Sequence, residues 1–261
     1  MVIEYQLSRM STMKQQLAKT LLAQKPIMRG EWQSEAVKHR THELSNVIIT
    51  AAIPPLLPYT VEMCDPDLPW AEQHFAERVS GKPLNPPPSY SEWPWHSAKE
   101  ANRYFTSSAR FDHTYPERFW PKFAPYHPAV LSDRQPIRGI YWEYGDLADV
   151  VNQLRRNIWT RQAYLPVFFP EDTGANHGQR VPCTLGYHFI RNGAQLDINY
   201  FLRSCDLTRH FHNDIYFAMR LLQWVKLQLP ANEFNIPHTG QLTMFISNLH
   251  LFSNDEWRYE R

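Results

Sequence analysis

A cysteine and an arginine lie at matching ends of a segment that the sequence predicts to be a β-hairpin. The segment runs from Arg180 to Asp206 and reads RVPCTLGYHFIRNGAQLDINYFLRSCD. Cys183 supplies a thiol and Arg203 supplies a guanidinium. A nearby guanidinium favours the thiolate form of a cysteine, and it also binds phosphate. The pair could therefore combine a nucleophile with an anchor for a phosphorylated substrate.

The turn of this hairpin is predicted at Asn192-Gly193, because a type I′ turn needs positive φ at both central residues. In that register Cys183 pairs with Leu202, and Arg203 is the next residue along the strand. Cys183 and Arg203 would then point to opposite faces, whereas a β-bulge or a one-residue slip would place them on the same face. The alternative is a buried cysteine beside a surface arginine, since a free cysteine often packs as a small hydrophobic residue.

The elements that must position these residues alternate without the regular spacing of βαβ units. Apolar residues at helical spacing predict helices over residues 1–25, 70–80, 146–157 and 212–229. Apolar and β-branched runs predict strands over residues 44–53, 162–169 and 241–252, in addition to the hairpin. We therefore expect a mixed α+β fold. No convincing boundary interrupts the chain, so residues 1–261 are predicted to form a single domain.

The bulk composition is that of an ordinary globular protein, with 43% hydrophobic and 20% charged residues. The formal net charge of +1 gives no support for a nucleic-acid or acidic membrane partner. Three cysteines without a CxxC pair predict no metal site and a reduced, cytoplasmic compartment. We also expect no signal peptide and no membrane span, because no apolar run approaches the roughly 20 residues that a span needs.

Residues beyond the hairpin extend the pattern. Arg203-Ser204-Cys205-Asp206 is followed by Asn213-Asp214 and then by Leu249-His250. The order and spacing from Cys183 to His250 resemble the thymidylate synthase superfamily, and most closely its phage-type deoxycytidylate hydroxymethylases. The resemblance covers residues from about 140 to 256 and is weaker upstream. It implies a thymidylate synthase-like α+β fold in which one sheet face is used for dimerisation.

The resemblance also implies a reaction. In this family a cysteine thiolate adds to C6 of a pyrimidine nucleotide, which makes C5 nucleophilic toward the one-carbon unit of 5,10-methylenetetrahydrofolate. Cys183 matches that nucleophile. Arg203 and Ser204 match residues that hold the 5′-phosphate, and Arg161 matches an arginine that reaches the phosphate of the partner subunit in a homodimer. Arg40-Thr41 resembles the N-terminal phosphate loop, although His42-Glu43 replaces the small residues usual there.

Asp214 matches the residue that distinguishes the base. Thymidylate synthases have Asn here, whose amide accepts from N3-H and donates to O4 of uracil. Cytosine reverses this pattern, and a carboxyl group can complement it when either the carboxyl or the ring carries a proton. The hydroxymethylases have Asp at this position after an Asn, as in Asn213-Asp214. The alternative is that one of these two residues caps the following helix.

A carboxylate and a histidine complete the nucleotide site that the resemblance implies. Glu72 is the best match for the carboxylate that relays protons through water near the base, and Glu77 on the same helix is the rival. An exposed helical glutamate is the alternative for either residue. His250 matches a histidine that bonds the sugar hydroxyl, with a satisfied core histidine as the alternative.

The folate side of the site is expected at Asp206 and at a tryptophan. Asp206 matches a residue that contacts the pterin. Trp93 or Trp95 would stack on the pterin, because a planar aromatic ring supplies contact area and a π-face. Packing within an aromatic loop is the alternative for both tryptophans.

Four features depart from the family pattern. Arg138 precedes Gly139 where a tyrosine is usual, and Phe252 lacks the hydroxyl of the tyrosine usual there. An aromatic and proline-rich insertion occupies the region around residues 96–130. The sequence also ends at Arg261, soon after the last motif. We expect the lack of a closing C-terminal tail to fit addition of water better than a reductive step.

The sequence therefore favours hydroxymethylation of dCMP or CMP, and Ser204 beside Arg203 favours the deoxynucleotide. A uracil-specific enzyme is the first alternative, either a thymidylate synthase or a dUMP hydroxymethylase. A non-catalytic nucleotide-binding homologue is the second. The predicted partners are a pyrimidine nucleoside monophosphate, the folate and a second copy of the chain, without membrane or direct nucleic-acid binding.

Overall fold

The structure is a computed structural model that describes residues 2–29, 39–96, 110–123, 145–173, 180–230 and 237–260. The chain divides into two compact units. Unit 1 comprises Met1–Pro66 and Cys183–Arg261, and unit 2 is Asp67–Pro182. This division does not decide whether residues 1–261 act as one domain, so the single domain stays a prediction. Within the proposed insertion, only residues 96 and 110–123 are among those described.

Helices and strands alternate irregularly along the described residues. In chain order they are β1 (Ile3–Gln6), α1 (Met10–Leu22), β2 (Ile27–Arg29), β3 (His39–Ala52), α2 (Leu57–Cys64), α3 (Trp70–Arg78), α4 (Tyr115–Phe119), α5 (Leu147–Arg156), β4 (Tyr164–Pro166), α6 (Pro170–Thr173), β5 (Thr184–Asn192), β6 (Gln195–Leu202), β7 (Cys205–Asp206), α7 (Phe211–Leu227) and β8 (His238–Phe252). Short 3₁₀ helices cover Pro88–Glu92, Pro121–Phe123 and Ser253–Arg258.

The strands of unit 1 form a mixed sheet in the order β1-β3-β8-β6-β5. In addition, β2 pairs with β3 and β7 pairs with β8. The β1–β3, β6–β8 and β7–β8 pairs are parallel, whereas β2–β3, β3–β8 and β5–β6 are antiparallel. Because the sheet mixes both directions and packs with helices, the predicted α+β class is confirmed.

One face of this sheet carries the core of unit 1. Side chains alternate along a strand, so every second residue faces the core. On that face the following side chains are buried: Val47, Ile49, Ala51, Tyr187, Phe189, Ile198, Tyr200, Leu242, Met244 and Ile246. Helix α7 packs against β6, β8 and α2. The predicted stripe of α7, made of Ile215, Ala218, Met219 and Leu222, is fully buried.

The other sheet face is only half-buried. Ile48, Ile190, Phe201 and Phe245 lie on it. The rings of Phe201 and Phe245 stack with their centroids 5.1 Å apart. This face therefore carries apolar side chains among polar neighbours, Asn199 and Thr243 included.

The first 25 residues differ from the predicted helix. Ile3–Gln6 is a strand that pairs in parallel with Val47–Thr50, and the helix begins only at Met10. The strand predicted at 44–53 is likewise part of a longer strand, His39–Ala52. Both differences arise because pairing with distant strands overrides the local apolar spacing.

Helices and buried polar contacts organise unit 2. The helices predicted at 70–80 and 146–157 are observed as Trp70–Arg78 and Leu147–Arg156. The guanidinium of Arg118 donates to both oxygens of Asp172 at 2.7 and 2.8 Å, and both side chains are buried. The strand predicted at 162–169 shrinks to Tyr164–Pro166.

Among the described helices, none has the length and apolar content that crossing a membrane requires.

Candidate functional site

The hairpin turn lies one residue later than the sequence predicts. Asn192 pairs with Gln195, so the central residues are Gly193 and Ala194. Gly193 has a φ of 58°, whereas Ala194 is not among the described residues with positive φ. Positive φ at the first central residue alone is the type II′ arrangement, which favours Gly in that place. Asn192 therefore remains in the strand, and the prediction of a turn centred on Asn192-Gly193 is wrong.

A β-bulge at the far end of the hairpin brings Cys183 opposite Arg203. Gly186 pairs with Phe201 and Thr184 pairs with Leu202, so one extra residue enters the first strand between them. The Arg203 N–H donates to the Cys183 carbonyl oxygen at 2.9 Å. Residues directly opposite each other in an antiparallel pair share a face. The bulge that the sequence left open is thus present, and it aligns Cys183 with Arg203 across the end of the hairpin.

Cys205 connects this end of the hairpin to α7. Its thiol is buried, and Sγ lies 3.7 Å from Oδ2 of Asp214. Burial raises the pKa of Cys205 well above its usual value, and the charges of Asp214, Asp206 and Cys183 raise it further. The thiol therefore keeps its proton, and its S–H donates a hydrogen bond to the carboxylate.

Asp214 lies inside the first turn of α7 rather than at its cap. The helix begins at Phe211 and its N-cap residue is His210. Asn213 and Asp214 are the third and fourth helical residues and are 1% and 8% exposed. The interpretation that one of them merely caps the helix is therefore wrong. The first turn also favours a negative charge, because the helix dipole is positive there.

Ser204 and His250 are brought together by β7 and β8. The Ser204 hydroxyl lies 3.3 Å from Nδ1 of His250, and His250 pairs with Asp206 across the strands. Burial lowers the pKa of His250, although the nearby carboxylates of Asp206 and Glu43 act in the opposite direction. The imidazole is consequently neutral at pH 7. The residues matched to phosphate and sugar are therefore neighbours.

These contacts define a group that we call the Cys183 cluster. The positive charge of Arg203 also lowers the pKa of His250, which links the Cys183–Arg203 pair to the Ser204–His250 pair. Its members are Cys183, Arg203, Ser204, Cys205, Asp214 and His250.

Asp206 has a structural role that the sequence does not predict. Its Oδ1 accepts from the backbone N–H of Thr208 at 2.8 Å and of Arg209 at 3.2 Å, and its Oδ2 accepts from the Arg209 guanidinium at 2.8 Å. Burial alone would raise the pKa of Asp206, but Arg209 outweighs burial and lowers it. Arg209 also bonds Asp255 at 2.7 Å. The spacing of an Asp two residues before a Thr was the available signal, since Asp often closes such turns.

Arg40 and Thr41 lie in a strand, not in the loop that the resemblance implies. They belong to β3, where Arg40 pairs with Met28 and Thr41 pairs with Phe252. Arg40 is exposed, and Thr41 is buried. The prediction of a loop at Arg40-Thr41 is therefore wrong, because this segment pairs with β2 and β8, which hold it extended.

His42 and Glu43 have partners within unit 1. His42 contacts the Gln24 carbonyl oxygen at 2.8 Å and the Glu256 carboxylate at 2.9 Å. Glu43 accepts from Thr41 at 2.7 Å and from Asn248 at 2.6 Å, and it pairs with His250 across β3 and β8. These two departures from the family pattern therefore serve the packing of the sheet beside His250.

Phe252 and Arg138 are the other departures at single positions. The Phe252 ring meets the His250 ring edge to face, with centroids 5.2 Å apart. The Arg209 guanidinium lies 5.1 Å from the centroid of the same ring. Phe252 thus packs on the histidine matched to the sugar. Arg138 and Gly139 lie outside the described residues.

The remaining predicted site residues belong to unit 2. Glu72 is half-buried on α3, and Arg161 is exposed after α5. Glu77, the rival of Glu72, accepts from the Ser89 N–H and hydroxyl, both at 2.6 Å, and from His74 at 3.0 Å. Burial alone would raise the pKa of Glu77, but these hydrogen bonds lower it. Glu77 therefore fastens the 3₁₀ helix to α3, and Glu72 stays the predicted relay.

Trp93 and Trp95 are half-buried. The ring of Trp93 lies 5.9 Å from Trp70 and 6.2 Å from Tyr90, measured between centroids. Aromatic packing is thus observed for Trp93, as the alternative interpretation expected. Stacking of either tryptophan on a pterin stays a prediction.

No group of three or more His, Cys, Asp or Glu side chains in the described part of the chain is arranged to hold a metal ion.

No protein-family model and no curated protein matches this chain. The chemistry of the Cys183 cluster must therefore be argued from its residues. The cluster combines a thiol, a guanidinium, a buried carboxylate and a neutral imidazole. In such a set the thiol can attack an electron-poor ring carbon, the guanidinium can bind an anion, and the carboxylate and imidazole can form hydrogen bonds with polar groups of a ligand.

Proposed function

We propose that this protein is a pyrimidine nucleotide C5 hydroxymethyltransferase. It converts dCMP, or CMP, to the 5-hydroxymethyl nucleotide, with 5,10-methylenetetrahydrofolate as the one-carbon donor. The observation that carries the proposal is the bulged hairpin end, where the Arg203 N–H donates to the Cys183 carbonyl at 2.9 Å. A nucleophile and a phosphate anchor side by side suit a substrate that carries both a reactive ring and a phosphate.

Cys183 acts as the nucleophile. Its thiolate adds to C6 of the pyrimidine, which makes C5 nucleophilic, and its departure at the end restores the C5–C6 double bond. The proton on C5 leaves in between, and water provides the hydroxyl of the product. Methylenetetrahydrofolate supplies the carbon: C5 bonds to it, the bond from this carbon to the folate nitrogen breaks, and tetrahydrofolate leaves. Arg203 at the same end of the hairpin favours the thiolate through its positive charge.

Arg203 and Ser204 hold the 5′-phosphate, with Arg40 as a further cation. Arg161 of a second copy completes the phosphate site, so the enzyme is a homodimer. The half-buried sheet face with the stacked Phe201 and Phe245 rings supports this dimer, because half-exposed aromatic rings favour contact with a partner surface.

Asp214 selects cytosine. Its carboxylate accepts from the N4 amine, and one proton shared with N3 completes the second hydrogen bond. Uracil presents a carbonyl oxygen at C4, which repels a carboxylate. The burial of Asp214 makes this difference large, since an unpaired polar contact costs most away from water.

His250 bonds the sugar hydroxyl, and Glu72 relays protons through water. The Asp206 carboxylate already binds Arg209, so its contact with the pterin requires that Arg209 share it. Trp93 or Trp95 supplies the stacking surface.

The test is tritium release from C5-labelled dCMP, CMP and dUMP, with and without methylenetetrahydrofolate. Release from a cytidine nucleotide alone is the expected result. Release from dUMP alone would contradict the role of Asp214 and identify a uracil enzyme. Binding of nucleotide without release from any of the three would instead identify a non-catalytic binding protein.

A further inference from the structure

Cys205 is a buried thiol that the proposed reaction does not use. It is 2% exposed and lies at the start of β7, between the Ser204 and Asp206 positions. Its Sγ lies 3.7 Å from Asp214 Oδ2 and 3.9 Å from the Asp206 carbonyl oxygen. The nearer of these acceptors is the carboxylate to which base selection is assigned.

The direction of this hydrogen bond follows from the charge states. Burial and the neighbouring carboxylates raise the pKa of the Cys205 thiol, so it stays protonated at neutral pH. A protonated thiol is a weak donor, and a carboxylate accepts without donating. The proton therefore points from Sγ toward Oδ2 of Asp214.

Both ends of this contact are fixed by regular structure. Cys205 pairs with Leu249 in the parallel β7–β8 ladder. The Asp214 N–H donates to the His210 carbonyl oxygen at 2.8 Å, which holds its backbone in the first turn of α7. The thiol thus links a strand to a helix and limits rotation of the carboxylate. A carboxylate oxygen has two acceptor sites, so Oδ2 can accept from the thiol and from a base together.

We propose that Cys205 is a positioning residue for base recognition. Its S–H donates to Oδ2 of Asp214 and holds the carboxylate in the orientation that distinguishes cytosine from uracil. The inference rests on the proposed function and adds a residue that acts through Asp214, without touching the substrate.

Replacing the thiol tests this role. In Cys205→Ala the donor is lost, and the ratio of kcat/KM for dCMP to that for dUMP should fall about fivefold, as expected for one buried hydrogen bond. In Cys205→Ser a hydroxyl replaces the thiol on a shorter bond and must close a wider gap to Asp214, so the ratio should be restored in part, to between the Cys205→Ala and wild-type values. The assay is tritium release from the two C5-labelled nucleotides.

Cys64→Ala is the matched control. Cys64 is also fully buried in unit 1, and its Sγ lies 3.6 Å from the Met219 sulfur on α7. The substitution removes a buried thiol beside the same helix without touching Asp214, so the dCMP-to-dUMP ratio should not change. An equal fall in Cys64→Ala and Cys205→Ala, or an unchanged ratio in Cys205→Ala, would overturn the proposal.

The S–H stretching band provides a second measurement that does not depend on turnover or on the folding of Cys205→Ala. Comparison of the wild type with Cys64→Ala and with Cys183→Ala identifies the S–H bands of those two cysteines and so assigns the remaining band to Cys205. The Cys205 band should move to higher wavenumber in Asp214→Asn, because a charged acceptor is replaced by a neutral one. An unmoved band would overturn the hydrogen bond. If wild-type protein releases tritium from neither nucleotide, the proposed function itself is overturned. If Cys205→Ala is active with an unchanged dCMP-to-dUMP ratio, the positioning role alone is overturned.

Discussion

The buried carboxylates of unit 2 and the Cys183 cluster of unit 1 are held in different ways. In unit 2, Arg118 bonds Asp172 at 2.7 and 2.8 Å, and Ser89 bonds Glu77 twice at 2.6 Å. In the cluster, Cys205 lies 3.7 Å from Asp214. Short, charge-assisted bonds lock a fold, whereas a long contact with a weak donor adds little stability. Substitutions at these hydrogen-bonded pairs of unit 2 should therefore cost stability, and those in the cluster should change chemistry.

The largest effect on stability is expected at Arg118. In Arg118→Met, Asp172 would remain buried without its guanidinium, which should lower the free energy of unfolding by about 3–5 kcal/mol. Arg155→Met is the control, because Arg155 is exposed on α5 and its loss should cost less than about 0.5 kcal/mol. Urea unfolding measures both. Equal losses for the two variants would contradict the structural role of the Arg118–Asp172 pair.

Acid should destabilise unit 2 through His74. Burial first, and then the charge of Arg78, lower the pKa of His74 to about 4, against the ordinary 6.5. The His74–Glu77 contact at neutral pH is thus a hydrogen bond from a neutral ring to a carboxylate, not an ion pair.

Because the unfolded chain binds this proton more readily, the stabilisation is complete above pH 6.5 and is lost as pH falls toward 4. The full loss is about 3 kcal/mol. Urea unfolding between pH 7 and pH 4 measures it, with His74→Gln as the variant that should lose this pH dependence. The same slope in wild type and variant would show that another group is responsible.

Asp214→Asn should alter specificity without a comparable change in stability. An amide can accept from N3-H and donate to O4, so the dCMP-to-dUMP ratio of kcat/KM should fall by at least about 10²-fold. Tritium release from both nucleotides measures this ratio. A variant that keeps its preference for dCMP would remove Asp214 from base recognition.

The smallest expected change in stability separates two glutamates of α3. Glu77→Gln weakens the hydrogen bonds from Ser89 and His74 and should cost about 2 kcal/mol of unfolding free energy. Glu72→Gln should cost less stability than Glu77→Gln and should slow tritium release. The reverse assignment of the two effects would identify Glu77 as the relay.

Strong local periodicity explains which elements could be predicted from the sequence. Helix α7 and strand β8 have long apolar patterns, and the sequence predicts both to within a few residues. The strand at Ile3–Gln6 is not predicted, because it exists only by pairing with Val47–Thr50. The hairpin turn is misplaced by one residue, because Gly193 alone adopts the positive φ that this turn needs.

The candidate site also contains some contacts that the sequence predicts and others that it does not. The sequence predicts that Cys183 and Arg203 lie close together, because both are at the same end of a hairpin of two alternating strands. It does not decide whether a bulge is present. The contact of Cys205 with Asp214 and that of Ser89 with Glu77 join residues of different elements, and no spacing in the sequence indicates them. Long-range contacts of this kind depend on how elements pack, which local patterns do not encode.

The most direct test of the account is tritium release from C5-labelled dCMP by wild-type protein, Cys183→Ala and Cys64→Ala. If Cys183 is the nucleophile, its loss should reduce release by at least about 10⁴-fold, because no other group replaces a covalent nucleophile. Cys64→Ala should keep the wild-type rate. Release by Cys183→Ala at a rate comparable to wild type would contradict the central claim that the bulged hairpin presents a catalytic thiol beside its phosphate anchor.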